Sequence, residues 1–199
     1  DERLRRNPAA HALPLLEAYV ASSEKVSKEI MYELSYCYYD ANQLNKAIEG
    51  FRQLSTERDS MGQNSMYLLG DCYLRTNQKA NARNAFQYSA YNSSNKLQQQ
   101  VSRFNYAKLS YELGYQDIAL NEMKKYLNDY PNSEYDTEAK EILVSLLTNT
   151  NNFAEALRFV DHAALGLDRE RCTVVDQLVV AADLVDVEDG QPVAPAGVA

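Results

Sequence analysis

The sequence has no Trp, and its 199 residues contain only 7 Gly, 5 Pro and 3 Cys. So few chain breakers imply few turns, and with 15 Tyr the composition suggests helices packed on helices. Cys37, Cys72 and Cys172 form no CxxC or other metal-ligand spacing, and an odd number is not a disulfide framework. They read as small buried hydrophobes. No apolar run approaches the roughly 18 residues that a membrane span needs. Lys and Arg number 20 against 28 Asp and Glu, a net charge of −8, and no basic cluster stands out. That balance argues against nucleic acid or an anionic membrane as the main partner. The chain starts at Asp1 with neither an initiator Met nor a signal-peptide pattern, which predicts a fragment or a processed chain. At this length, one ordinary domain or a short repeat array is expected.

Enzyme chemistry finds little footing. The sequence has no GxxxxGK[ST], GxGxxG, HExxH or GxSxG pattern. His11 and His162 lie in the first and last parts of the chain, so neither has a partner for nucleophilic or metal work. No catalytic residue, cofactor, metal or small-molecule substrate is expected. Glu138 and Glu141 fall one turn apart and read as a solvated helix face, and Asp71 with Arg75 as a surface ion pair.

Self-similarity is the strongest signal present. Ala12, Ala47, Ala82, Ala119 and Ala156 follow one another at 35, 35, 37 and 37 residues. Four residues beyond each stands a bulky apolar residue: Leu16, Phe51, Phe86, Met123 and Val160. Three further on come Tyr19, Leu54, Ser89, Tyr126 and Ala163, which completes one helical face. A second ladder runs through Leu34-Ser35, Leu69-Gly70, Tyr106-Ala107 and Leu143-Val144 in the same register. Between the ladders sit Asn42, Asn77, Gly114 and Asn151, residues that tolerate the left-handed turn ending a helix. Each unit therefore reads as helix, tight turn, helix. Helices are predicted near 9–21, 25–40, 44–56, 62–75, 79–92, 97–113, 116–129, 134–148 and 152–164, with Pro131 closing one and Ser133 capping the next.

Helix pairs of this length with these residue types resemble tetratricopeptide repeats. The segments Met66 to Tyr73 followed by Ala82 and Phe86, and Tyr106-Ala107 through Gly114, Ala119 and Pro131, carry the likeness best. The last unit carries it least, with Val144 where a small residue is usual and Val160 where an aromatic is usual. The resemblance implies an all-α, right-handed α-solenoid of stacked antiparallel helix pairs over 9–165. It would hold a half repeat at 9–21 and repeats near 28–61, 63–96, 100–133 and 137–165. The repeats are also similar to those of long multi-repeat proteins of the Gram-negative cell envelope. That likeness implies a periplasmic or outer-membrane-associated setting, with a cytoplasmic one as the alternative, and an internal slice of a longer chain.

By the same resemblance the first helix of each pair lines a concave binding face. Its groove positions would be Tyr32, Tyr36, Tyr39 and Asp40, then Tyr67, Asp71, Leu74 and Arg75. Phe104, Lys108, Tyr111 and Glu112 would follow, then Glu141, Ser145 and Thr148. The partner-binding candidates are thus Tyr32, Tyr36, Tyr39, Tyr67, Asp71, Arg75, Lys108 and Tyr111. Tyr suits an interface because it buries a rigid ring and keeps one polar tip. The subclass that clamps a C-terminal carboxylate uses Lys and Asn where Tyr32 and Tyr36 stand here, so that mode is not expected. A non-enzymatic scaffold for a protein or peptide partner is the first functional reading. A structural spacer or self-assembly segment is the second. Helix spacing of about 8–10 Å keeps Cys37 and Cys72, 35 residues apart, beyond disulfide reach. Two free buried thiols are expected.

Two segments stand apart. Asn92-Ser93-Ser94-Asn95 is a polar loop that absorbs the extra length of a 37-residue repeat, and its formal glycosylation sequon reads as loop composition. From Gly166 onward there are eight Val in 34 residues and seven acids against two bases, with no Tyr or Asn. This acidic tail is read as a capping helix, a linker or a non-native end.

Overall fold

The computed structural model describes residues 8–56 and 58–159. The tail from Gly166, Cys172, His162 and Val160 lie outside the described residues, as does the end of the last expected helix. Within them stand nine helices and no strand: α1 (Pro8–Ser22), α2 (Lys28–Asp40), α3 (Leu44–Gln53), α4 (Ser60–Arg75), α5 (Lys79–Tyr91), α6 (Lys96–Glu112), α7 (Gln116–Asp129), α8 (Asp136–Asn149) and α9 (Phe153–Phe159). None is long and apolar enough to cross a membrane. The described residues divide into two compact units, one ending at Glu122 and the other beginning at Met123.

The turn residues determine where each pair folds back. Asn42, Asn77, Gly114 and Asn151 all have positive φ, as the sequence suggests, and so does Asn132. Around each of the four, a backbone N–H beyond the turn closes on a carbonyl of the last helical turn: Gln43 to Tyr38, Gln78 to Tyr73, Tyr115 to Ser110 and Asn152 to Leu147. This is the Schellman arrangement, which satisfies carbonyls a helix end otherwise leaves unpaired. The first helix of each pair in the first unit begins with a side-chain cap. Ser27 accepts from the Ile30 N–H, Asp59 from Gly62 and Asn95 from Gln98.

In the first unit, α2 packs on α3 and α4 on α5, while α3–α4 and α5–α6 contacts join successive pairs. Ala47 and Phe51 of α3, Leu54 at its C-terminal cap, and Ala82, Phe86 and Ser89 of α5 are buried. Each large apolar side chain so covered stabilises the fold by roughly 1.5–3 kcal/mol. Close approach explains the small residues opposite. A Cβ at Gly70 would lie 2.8 Å from the Phe86 ring, and one at Gly50 would collide with the Ser35 hydroxyl. Buried Gln63 secures the polar loop. Its Nε2 donates to the carbonyls of Asn92 at 2.8 Å and Asn95 at 2.9 Å, and its Oε1 accepts the Asn95 N–H. The Asn92 side-chain amide in turn donates to the carbonyls of Arg58 and Asp59.

In the second unit, α8 packs on α9, burying Leu143, Leu146, Leu147 and Ala156. Lys124 and Glu155 form a 2.6 Å ion pair. Here one expectation is corrected: Ser133 does not cap α8. Its hydroxyl accepts instead from the Tyr126 hydroxyl at 2.9 Å, and α8 starts later, at Asp136, without a side-chain cap.

Candidate functional site

Helices α2, α4 and α6 touch one another in sequence, α2 to α4 and α4 to α6, and no comparable contact joins α3 and α5. The first helices of the pairs thus draw together on one side of this unit and the second helices spread on the other. The face formed by α2, α4 and α6 carries all eight candidate residues, and Tyr32, Tyr36, Tyr39, Asp71 and Arg75 form one connected group.

Along α2, the Tyr36 ring lies 6.4 Å from that of Tyr32 and 6.3 Å from that of Tyr39, as positions one turn apart require. Tyr36 is 44% exposed, whereas Tyr32 and Tyr39 are half-buried. Their hydroxyls explain the difference. The Tyr39 hydroxyl donates to Asp71 of α4 at 2.8 Å, and the Tyr32 hydroxyl accepts from Asn64 of α4. Asn64 accepts in turn from Gln98 of α6, so a polar ladder crosses three helices. Arg75 sits 5.3 Å from the centre of the Tyr39 ring, 3.6 Å from Asp71, and donates to Asn42. The surface ion pair expected at Asp71 and Arg75 is therefore present and is also bound to the Tyr cluster.

Burial, and then the bond to Asp71, pushes the Tyr39 hydroxyl up to about 12. Burial raises that of Tyr32 as well. Both stay neutral near pH 7 and act as fixed hydrogen-bonding tips. A cavity of about 360 Å³ opens beside the ladder, lined by Tyr32, Ser60, Met61, Asn64, Asn95 and Gln98. Asn64 and Gln98 escaped the sequence reading, because no repeat ladder passes through both.

The other groove positions divide. Tyr67 is half-buried with its ring edge-on to Phe86 at 6.2 Å, and Leu74, Lys108 and Tyr111 are half-buried. Asp40 is exposed, and exposed Glu112 pairs with Lys79 of α5 at 2.7 Å. Phe104 is a correction: expected to be exposed, it is 2% exposed, with the Lys108 ammonium 5.8 Å from its ring centre. Without a hydroxyl it has no tip to hold in water, unlike Tyr32 and Tyr67 at the same register. In the second unit, Glu141 is exposed, and the hydroxyls of Ser145 and Thr148 turn back to carbonyls of their own helix.

For chemistry this face offers aromatic surface and hydrogen bonds. Cys37 and Cys72 are free and buried, as expected. Burial raises both thiols, that of Cys72 to about 12, so neither supplies a thiolate nucleophile. His11 is exposed, and no cluster of three metal-ligating side chains occurs among the described residues.

Paired helices, left-handed turns and a continuous first-helix face define an all-α helical-repeat protein. A family model of the tetratricopeptide repeat matches residues 29–58 and 64–88. The chain carries tetratricopeptide repeats at these positions. No curated protein matches it. Among solved structures it is similar to that of MamA, with a TM-score of 0.59 and 14% identity over 94% of this chain and 95% of the other. It is also similar to that of BtubC from P. vanneervenii, with a TM-score of 0.54 and 12% identity over 99% of this chain and 82% of the other. At those identities the likeness shows the fold. Tetratricopeptide repeats generally mediate protein–protein interaction and are generally non-enzymatic.

Proposed function

We propose that this chain is a non-enzymatic interaction module that seats a protein or peptide partner on the face of α2, α4 and α6, with Tyr36 as the anchor. One observation carries the reading. Tyr36 is 44% exposed while held between two rings whose hydroxyls are fixed by α4. An aromatic surface locked in place before binding loses little entropy when a partner covers it. Tyr67, Asp71, Arg75, Lys108 and Tyr111 extend the same surface. The test is a pull-down from the source cell with the native chain and with Tyr36→Ala, after circular dichroism shows equal folding. Loss of a specific partner only in the variant supports the reading, and identical capture overturns it. The cell-envelope setting rests on sequence resemblance, and fractionation of the source cell checks it.

A second reading, a spacer or self-assembly segment, draws support from α1. Leu15 is 73% and Tyr19 50% exposed on that helix, an apolar strip open to a second copy of the chain. Sedimentation that shifts with concentration, and stops shifting in Tyr19→Glu, favours this reading. A monomer at every concentration excludes it.

A further inference from the structure

We propose that the channel between α3 and α5, on the side away from the Tyr face, binds an extended acidic peptide segment of a partner protein. The channel follows from the packing. First helices meet and second helices spread, so α3 and α5 stand apart over α4, whose Met66, Leu69 and Tyr73 form the floor. A cavity of about 350 Å³ lies in this space, and a second of about 650 Å³ continues it between α5 and the loops at Arg58 and Asn92. Asn84 and Tyr88 line both, so the two adjoin.

Charge selects the occupant. The chain carries −8 overall, yet among the described residues no Asp or Glu lines either cavity, while Arg52 lines one and Arg58 the other. Neither guanidinium forms an ion pair or hydrogen bond with a described residue, and both residues are exposed. A planar guanidinium matches a carboxylate through two parallel hydrogen bonds. Side-chain amides provide the complement to a peptide backbone, since each offers the same donor and acceptor as a peptide unit. Gln87 uses its Nε2 on the Tyr106 hydroxyl and keeps its carbonyl free, whereas Asn84 keeps its Nδ2 free. Tyr88 and the 58% exposed Tyr91 add ring surface for an apolar side chain between the acids.

The rim is set in advance. Gln63 holds the loop at Asn92 and Asn95, and the Asn92 amide holds the backbone at Arg58. A fixed rim lowers the ordering cost of binding. It also occupies the sequon, because the Asn92 amide is spent inside the fold.

The test uses a short fluorescent peptide of alternating glutamate and leucine, followed by anisotropy with the full chain. Saturable binding is expected, weakening as salt rises. Arg58→Gln should weaken it about tenfold, the effect of losing a charge-assisted hydrogen bond. Arg52→Gln/Arg58→Gln should abolish it. Lys25→Gln removes an equal charge elsewhere and should leave binding unchanged. Absent binding overturns the proposal. So does equal binding by the double variant, equal binding of a lysine–leucine peptide, or displacement by a sulfated oligosaccharide at lower concentration than by the unlabelled peptide.

Discussion

Helices α1 and α3 carry the same ladder in different surroundings. Ala12, Leu16 and Tyr19 have the spacing of Ala47, Phe51 and Leu54. In α3 and at its C-terminal cap all three are buried, whereas in α1 Ala12 and Leu16 are half-buried and Tyr19 is exposed. Leu15 is exposed at the register where Gly50 and Ala85 are buried. The difference teaches that a ladder encodes readiness to pair, and that burial comes from the neighbour. In a repeat array, stability is close to a sum over such interfaces.

The widest gap is expected from truncating the bulky rung. Phe51→Ala should cost about 3–5 kcal/mol, and Leu16→Ala under about half of that, in urea unfolding. Equal losses would mean that the open face of α1 is covered in solution, as the self-assembly reading requires. A smaller contrast is expected one residue earlier in the ladder. Gly50→Ala drives a methyl into the Ser35 hydroxyl, a cost of roughly 1–3 kcal/mol. Ser35→Ala in the same chain removes that oxygen and should recover part of the loss. Leu15→Ala should stay within about 0.5 kcal/mol, the range of surface changes. A large loss there would show that Leu15 is not free.

How far the sequence spoke follows the same division. Four turn positions, Asn42, Asn77, Gly114 and Asn151, were legible because left-handed backbone restricts residue type locally. The buried Ala and Phe rungs of α3 and α5 were legible because period and residue type agree. Residues whose role depends on a neighbour's position were not. Gln63 reads as an ordinary polar residue until the loop at Asn92 to Asn95 closes around it. Arg52 and Arg58 lie too far from Asn84 and Gln87 in sequence to suggest one channel. Phe104 shares a register with Tyr32 and Tyr67, and the missing hydroxyl outweighed the register. Ser133, a sound capping residue, was taken by the Tyr126 hydroxyl.

The last and smallest contrast concerns what holds α1 in place of a sealed ladder. Glu17 accepts from the Tyr38 hydroxyl at 2.8 Å and from Lys46 at 3.1 Å, with the Lys46 ammonium 4.8 Å from the Tyr38 ring centre. The bond from Tyr38, then that from Lys46, holds the Glu17 carboxyl below its ordinary 4.5. Burial, then the bond to Glu17, pushes the Tyr38 hydroxyl from 10 up to about 12. A lowered carboxyl stabilises the folded form above its ordinary value and loses that effect as pH falls through the lowered one. A raised phenol stabilises it below pH 10, and the effect fades as pH climbs from 10 toward 12. The tether should therefore be intact at neutral pH and weaken at both extremes. Hydrogen exchange at neutral pH should quicken a few-fold in Pro8–Ser22 of Tyr38→Phe, about the effect of one lost side-chain hydrogen bond, and stay unchanged in Leu44–Gln53. In acid below the lowered value of Glu17, native chain and variant should converge. Equal quickening of both helices would instead assign Tyr38 to the shared core of α2 and α3, and α1 would then be held by its apolar contacts alone.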